Sequence, residues 1–204
     1  GGWHIDEVID RMRGHKGSLL RLRVKPASGA AIREVQLVRE ATEIQEQAAS
    51  KYILTPIHAG KVRRLGVIKL PYFYSDFQAM RAGDPNYLSA TRDVHRLFEE
   101  LQKEKVEGVM IDLRDNSGGS LAEVSSFIGA LINTGPTMQI RDARGRVQSL
   151  GDDNPDQSYK GPVAVMINRL TASGAEIAAA ALQDYGRALI IGSTSYGNGS
   201  IQSI

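Results

Sequence analysis

The sequence predicts an α/β fold with a parallel or mixed sheet. Buried-looking strands alternate with helices, and the order strand, loop, helix repeats within the later half of the chain. No repeat of 20 to 50 residues and no low-complexity tract argues for a solenoid or a disordered array instead. The 204 residues are 42% hydrophobic and 24% charged, the composition of a globular chain long enough for one full domain and part of a second.

The elements follow in order. Asp6 to Met12 reads as a short amphipathic helix, with Ile5, Val8, Ile9 and Met12 at helical spacing, ended by Gly14. Leu19 to Val24 and Arg33 to Val38 read as strands, with a turn over Pro26 to Gly29 between them. Ala41 to Lys51 is polar and irregular, which suits a linker. Val67 to Leu70 is a short strand, and Pro71 to Pro85 is aromatic and turn-rich. Leu88 to Lys105 is a helix, because Val94, Leu97, Phe98 and Leu101 form one apolar stripe and Glu99 pairs with Lys103 on the other side. A buried strand from Gly108 to Arg114 then feeds the loop Asp115 to Ser120 and a helix from Leu121 to about Ile132. Thr137 to Arg141 and Val147 to Leu150 make a hairpin, and Gly151 to Gln157 a polar loop. Pro162 to Ile167 is a strand, Ser173 to Tyr185 a helix and Ala188 to Ile191 a further strand.

Composition excludes several function classes. Lys plus Arg number 25 against 23 for Asp plus Glu, with no basic block, so no nucleic-acid stripe is present. Zero cysteines exclude a disulfide framework, a thiol nucleophile and a cysteine zinc site, and fit either the cytosol or a periplasm. No apolar run approaches the roughly 18 residues of a membrane span. The chain begins without methionine and stops at Ile204 in what reads as a strand, so both ends are expected to be cut from a longer protein, with a signal peptide upstream.

Three segments carry chemistry. Ser173 stands where a buried strand passes into a helix, at the rim of a sheet and the positive end of a helix dipole. The plainer reading is a helix cap, since Ser173-Gly-Ala-Glu176 is also a capping box. In Asp112-Leu-Arg-Asp-Asn-Ser-Gly118-Gly119 the paired glycines let the backbone turn and leave amides pointing outward, as an oxyanion hole requires; the alternatives are an ordinary turn or a phosphate cradle. Neither the three-glycine dinucleotide pattern nor a phosphate loop ending in Gly-Lys-Ser/Thr occurs. Tyr196-Gly-Asn198-Gly199-Ser-Ile-Gln202 reads first as a tight hairpin.

Taken together, in this order, the three segments resemble the carboxyl-terminal processing peptidases, most closely their tail-specific periplasmic branch. That family shows Asp-Leu-Arg then Asn-x-Gly-Gly, Ser-x-x-Glu-Ile before an alanine-rich helix ending Gln-Asp-Tyr-Gly-Arg-Ala, and Gly-Lys-Gly-x-Val-Gln. The resemblance implies a mixed-sheet protease core of the crotonase and Clp-peptidase type over residues 61–204, truncated at its C-terminal end. Residues 1–40 would be the C-terminal part of a PDZ domain and 41–60 a linker. It implies Ser173 as nucleophile, Gly174 with Gly118 or Gly119 as oxyanion donors, Glu176 and Gln202 as supporting polar residues and Asp184 as another polar residue near the site. Position 198, the family's general-base lysine, is asparagine here. Asparagine accepts no proton at any pKa, so the resemblance implies a serine endopeptidase that this chain carries in an inactive form. No metal or other cofactor is implied. Substrates would be proteins with apolar, unstructured C-termini, with an adaptor protein and membrane association as features of the full-length parent, in the periplasm. Two rivals stand beside this reading: a pseudoprotease that binds peptide tails without cutting them, and an enzyme that pairs Ser173 with a histidine. His4, His15, His58 and His95 are distant from Ser173 in sequence, with His95 expected on the exposed face of its helix, and Lys160 is expected to be solvated.

Overall fold

The computed structural model describes residues 11–12, 14–26, 28–40, 48–132, 134–142, 144–152 and 158–198. The chain divides into two units, Gly1–Glu43 and Ile44–Ile204. Most of the helix expected over Asp6 to Met12 lies outside the described residues, as does residue 202.

In the first unit, β1 (Leu19–Val24) and β2 (Arg33–Val38) pair antiparallel, with Leu19 opposite Val38 and Val24 opposite Arg33. Arg39 ties the hairpin to its approach, since its Nε donates to the Met12 carbonyl and one terminal nitrogen to Ser18 Oγ, each at 2.9 Å.

The second unit is built on five strands in the spatial order β11-β10-β7-β6-β3. β6 (Leu65–Lys69), β7 (Gly108–Asp112), β10 (Val163–Ile167) and β11 (Ala188–Gly192) run parallel, and β3 (Ser50–Leu54) closes one edge antiparallel to β6. The sheet is therefore mixed, as its alternating strand and helix order predicts. The small hairpin of β4 (Ile57–His58) and β5 (Lys61–Val62) follows β3.

β3 lies where a linker over 41–60 was expected. It begins inside the polar run that ends at Lys51; Lys51 and Ile53 are its half-buried pair, and the Lys51 ammonium is met by Glu100 and Glu104. Tyr74 fastens the start of this segment from within the core: its hydroxyl accepts the Ala49 N–H at 2.8 Å and donates to Asp93 Oδ2 at 2.7 Å.

Helices pack on the sheet through the stripes their periodicity sets. The aromatic, turn-rich segment holds α1 (Phe77–Arg81), capped by the Asp76 carboxylate. In α2 (Ala90–Lys103) the stripe Val94, Leu97, Phe98 and Leu101 is 0 to 3% exposed. α3 (Leu121–Gly129) buries Val124, Phe127 and Ile128, and α4 (Gly174–Asp184) buries Ala175, Ala178, Ala179 and Leu182. Glu123 of α3 is buried yet satisfied, because its carboxylate accepts Ser89 Oγ at 2.8 Å and the Thr91 N–H at 2.9 Å, which joins α3 to the start of α2. β8 (Gly135–Arg141) and β9 (Val147–Asp152) form the expected hairpin, extended at both of its open ends.

Candidate active site

β7, β10 and β11 are parallel, so their C-terminal ends fall on one edge of the sheet, where ligands bind in open α/β sheets. The three segments singled out in the sequence are the loops leaving those ends. Each is locked by side chains. Asp112 accepts the Arg114 guanidinium as a fork, Nε to Oδ1 at 2.9 Å and a terminal nitrogen to Oδ2 at 2.7 Å. Burial works to raise the Asp112 carboxyl, but Arg114, through its side chain and its amide, holds it below its ordinary value. Asn116 is fully buried; its Nδ2 donates to the Leu70 carbonyl at 2.9 Å and its Oδ1 accepts the Gly118 N–H at 2.8 Å. Thr171, also fully buried, donates from its hydroxyl to the Leu113 carbonyl at 2.8 Å and accepts the Asn168 N–H at 2.9 Å. The Ala172 N–H then reaches the Asn116 carbonyl at 2.9 Å, so the first two loops form one rigid body.

Ser173 stands at the top of it with φ 54° and ψ −126°, a backbone region that costs a non-glycine residue of order 1–3 kcal/mol. Such strain persists only where the surroundings enforce it, and here they do. The Ser173 N–H is shared between the Asn198 carbonyl at 2.9 Å and Glu176 Oε2 at 3.0 Å. The Glu176 amide in turn donates to the Ser173 carbonyl at 2.9 Å. Its hydroxyl lies beside the glycine pair: a Cβ built on Gly118 would be 3.2 Å from Ser173 Oγ and 2.9 Å from the Gly174 nitrogen. Gly119, at φ 140°, presses on the neighbouring chain so closely that a Cβ there would stand 2.4 Å from the Phe73 carbonyl oxygen. Because the Gly118 amide is taken by Asn116, the amides of Gly119 and Gly174 are the ones left without a partner among the described residues.

The Glu176 carboxylate clamps the third loop. Its Oε1 accepts Ser195 Oγ at 2.6 Å and the Gly197 N–H at 2.8 Å, and its Oε2 accepts the Asn198 N–H at 2.9 Å as well as that of Ser173. The main chain at position 198 is thereby held against Ser173, while residue 198 is itself exposed. Two cavities flank this centre. One, of about 510 Å³, is walled by Pro71, Tyr72 and Ser117 to Gly119. The other, of about 690 Å³, runs between α4 and β8, with Glu176, Ile177, Ala181 and Met138 in its walls.

Residues 64–204 match the family model described as Peptidase family S41. The chain belongs to that family. It is 39% identical over 201 residues to the tail-specific protease of Haemophilus influenzae, covering 98% of this chain and 26% of that protein. It is 32% identical over 202 residues to the chloroplastic carboxyl-terminal-processing peptidase 2 of Arabidopsis thaliana, covering 98% of this chain and 36% of that one. Among solved structures it resembles the photosystem II D1 C-terminal processing protease, with a TM-score of 0.73 and 27% identity over 99% of this chain and 50% of that one. The S41 chain thus spans between about a quarter and a half of the length of these relatives, with the mixed α/β core of a carboxyl-terminal processing protease.

Within this S41 fold, Ser173, Gly118, Gly119, Gly174, Glu176 and the main chain of Asn198 come together. Asp184, the last residue of the eleven-residue α4, is exposed and about 16 Å along the axis from Ser173 at 1.5 Å per residue, and it lines the cavity of about 690 Å³ together with Glu176 and Ser195. Gln202 lies outside the described residues. His95 is half-buried rather than exposed, because its ring packs against and hydrogen-bonds Ser158 Oγ. Lys160 is exposed and precedes β10 at the end of the strand opposite Ser173. Among the described residues no group of His, Cys, Asp and Glu could hold a metal ion. Sequence reasoning missed Ser195, which carries no motif signal, and the task of Asn116, which does stand inside the quoted Asn-x-Gly-Gly.

The clamp predicts a pH response. Burial works to raise the Glu176 carboxyl, but the hydrogen bonds from Ser195, Gly197, Asn198 and Ser173 outweigh it and hold the group below its ordinary 4.5. A lowered carboxyl stabilises the folded arrangement above its unfolded value and loses that contribution as the pH falls through its folded value. The amide resonances of Gly197 and Asn198 should therefore move together as the pH is lowered from neutral to about 3, and Glu176→Gln should abolish that step. Resonances that stay fixed in the unsubstituted chain would count against the clamp.

Proposed function

We propose that the full-length gene product has the architecture of a serine endopeptidase for proteins with apolar, unstructured C-termini, and that Asn198 leaves it inactive. The observation that carries this reading is Ser173 on a strained turn, with two amides beside it that have no partner among the described residues and the main chain of position 198 hydrogen-bonded to its own. Ser173 Oγ is the nucleophile. The amides of Gly119 and Gly174 receive the developing oxyanion, and donors already fixed in place need no reorganisation as the charge forms. Position 198 is where the base would take the hydroxyl proton and pass it to the leaving amine. Asn198 can hydrogen-bond there but takes no proton. The hairpin of β1 and β2 is proposed as the last two strands of a PDZ module, which captures a chain terminus by strand addition, and the periplasm is the proposed compartment.

A fluorophosphonate probe tests the missing base. It should label Ser173 slowly in this chain, because the serine has no proton acceptor. Fast labelling would overturn the reading that Ser173 lacks a proton acceptor. The second reading is a pseudoprotease that holds peptide tails without cutting them, and Asn198 is the observation that favours it. Tight binding of an apolar-tailed protein, with no cleavage even after Asn198→Lys, would support that reading.

A further inference from the structure

The chain has six asparagines, and Asn198 is the one followed by glycine. We infer that the step from Asn198 to Gly199 is a site of spontaneous covalent modification: it closes to a succinimide and reopens with water to aspartate or isoaspartate. With age the chain thereby gains a carboxylate at the position proposed for the base. The modification is independent of any role for Ser173; its consequence for Ser173 rests on the function proposed above.

The bonds balance without an oxidant, a reductant or a metal. The main-chain nitrogen of residue 199, having lost its proton, bonds to Asn198 Cγ, and the side-chain nitrogen takes up a proton and leaves as ammonia. Water then adds to one of the two ring carbonyls. Breaking the ring nitrogen's bond to Cγ gives aspartate, and breaking its bond to the main-chain carbon gives isoaspartate; either product carries a free carboxylate. Closure requires the attacking nitrogen to be unobstructed and its backbone free to turn, and glycine, which lacks a Cβ, meets both needs.

The fold singles out this asparagine among those described. Asn116 is fully buried, with both ends of its side chain hydrogen-bonded. Asn168 is held as firmly: its Oδ1 accepts the Asp115 and Leu170 N–H groups, each at 3.0 Å, and its Nδ2 donates to Asp115 Oδ1 at 2.8 Å. Asn86 is exposed but precedes Tyr87, whose side chain obstructs the attacking nitrogen. Asn198 is exposed, and its side-chain amide has no hydrogen-bond partner among the described residues. Its peptide is also activated. The charge of a deprotonated nitrogen at 199 is shared with the carbonyl oxygen of residue 198, and that oxygen already accepts the Ser173 N–H at 2.9 Å. A hydrogen bond to the charged form favours it. Glu176 is the charged group that faces this peptide among the described residues; its Oε2 takes the Asn198 N–H at 2.9 Å and works against the anion. Once the ring has opened, the same like charge raises the pKa of the new carboxylate, which makes it a better proton acceptor.

Mass spectrometry of the aged, folded chain tests this. Trypsin releases Ala188–Ile204, which holds a single asparagine, and fragmentation separates a change at 198 from one at Gln202. On incubation at about pH 8 this peptide should pass from the amide to the acid mass through the ring form, about tenfold or more faster than at about pH 6, because the nitrogen must lose its proton. Isoaspartate should be detected by enzymatic methylation of its carboxylate. Gly199→Ala should slow the change about tenfold, and Asn116 and Asn168 should stay intact. Fluorophosphonate labelling of Ser173 should rise in step with the converted fraction, and Asn198→Asp should reproduce the rise without ageing. A folded chain that keeps its amide at 198 while the urea-unfolded chain loses it overturns the site, as does equally fast conversion at Asn116. Conversion with no rise in labelling leaves the modification standing and overturns the carboxylate as a base. Fast labelling of the fresh, unconverted chain overturns the proposed function and not the modification.

Discussion

In the full-length gene product, Asn198→Lys should raise cleavage of an unstructured, apolar-tailed protein by about 10³-fold or more, because it returns a proton acceptor to a centre whose other parts are formed. Ser173 is already strained into position, and its N–H meets the carbonyl of residue 198 at 2.9 Å, so the two main chains are already held together. A lysine base has to be neutral. Bringing its pKa from about 10.4 toward 7 requires burial that disfavours the ammonium by about 4–5 kcal/mol. Residue 198 is exposed in the 204-residue chain, where a lysine would stay protonated, so the same substitution should gain little there. The pH–rate profile separates the cases: activity appears as the pH rises through the lysine pKa, near neutrality if it is buried and near 10 if it is not. A folded, substrate-binding Asn198→Lys protein of full length with no gain in rate would remove the Ser-Lys reading and leave the tail-binding pseudoprotease.

How much of this was legible in the sequence depended on whether a residue's task is local. The apolar run of β7 and the stripe Val94, Leu97, Phe98 and Leu101 showed because burial dictates composition at a fixed period, and these residues are buried as that period requires. Ser173 showed as a strand-to-helix junction, and Glu176 as its capping partner three residues on. That the same carboxylate also holds Ser195, Gly197 and Asn198 was not legible, because those bonds join residues 19 to 22 apart through the fold. Asn116 makes the same point more sharply. Its motif implied two candidate glycine donors without choosing between them, and its side chain occupies the Gly118 amide. The separation of Asp184 from Ser173 was legible in the helix read over Ser173 to Tyr185; that Asp184 and Glu176 line one cavity was not. β3 was hidden because it starts within the polar run ending at Lys51 and its inward-facing pair is Lys51 and Ile53, so no apolar alternation marks its buried face.

Gly119→Ala should be the most damaging change that leaves every polar side chain of the site in place. At φ 140° the added Cβ would stand 2.4 Å from the Phe73 carbonyl oxygen and 2.8 Å from its carbon, both main-chain atoms, so no side-chain rotation can relieve the contact. The loop must move instead, and it is anchored on either side of that point, by Asn116 on the Gly118 amide and by the Ser120 N–H donating to the Phe73 carbonyl at 2.8 Å. The shift therefore falls on the Gly119 amide itself. Loss of one oxyanion donor costs about 10²–10³ in kcat, since its effect comes from being aimed before the charge develops. In the full-length Asn198→Lys background, Gly119→Ala should lower kcat by about that factor with KM changed far less. Gly118→Ala should be harmful by a different route, because its Cβ would crowd Ser173 Cβ at 3.0 Å and so disturb the nucleophile, which slows fluorophosphonate labelling as well as turnover. A folded Gly119→Ala enzyme that turns over within about twofold of its parent would show that the oxyanion is received elsewhere.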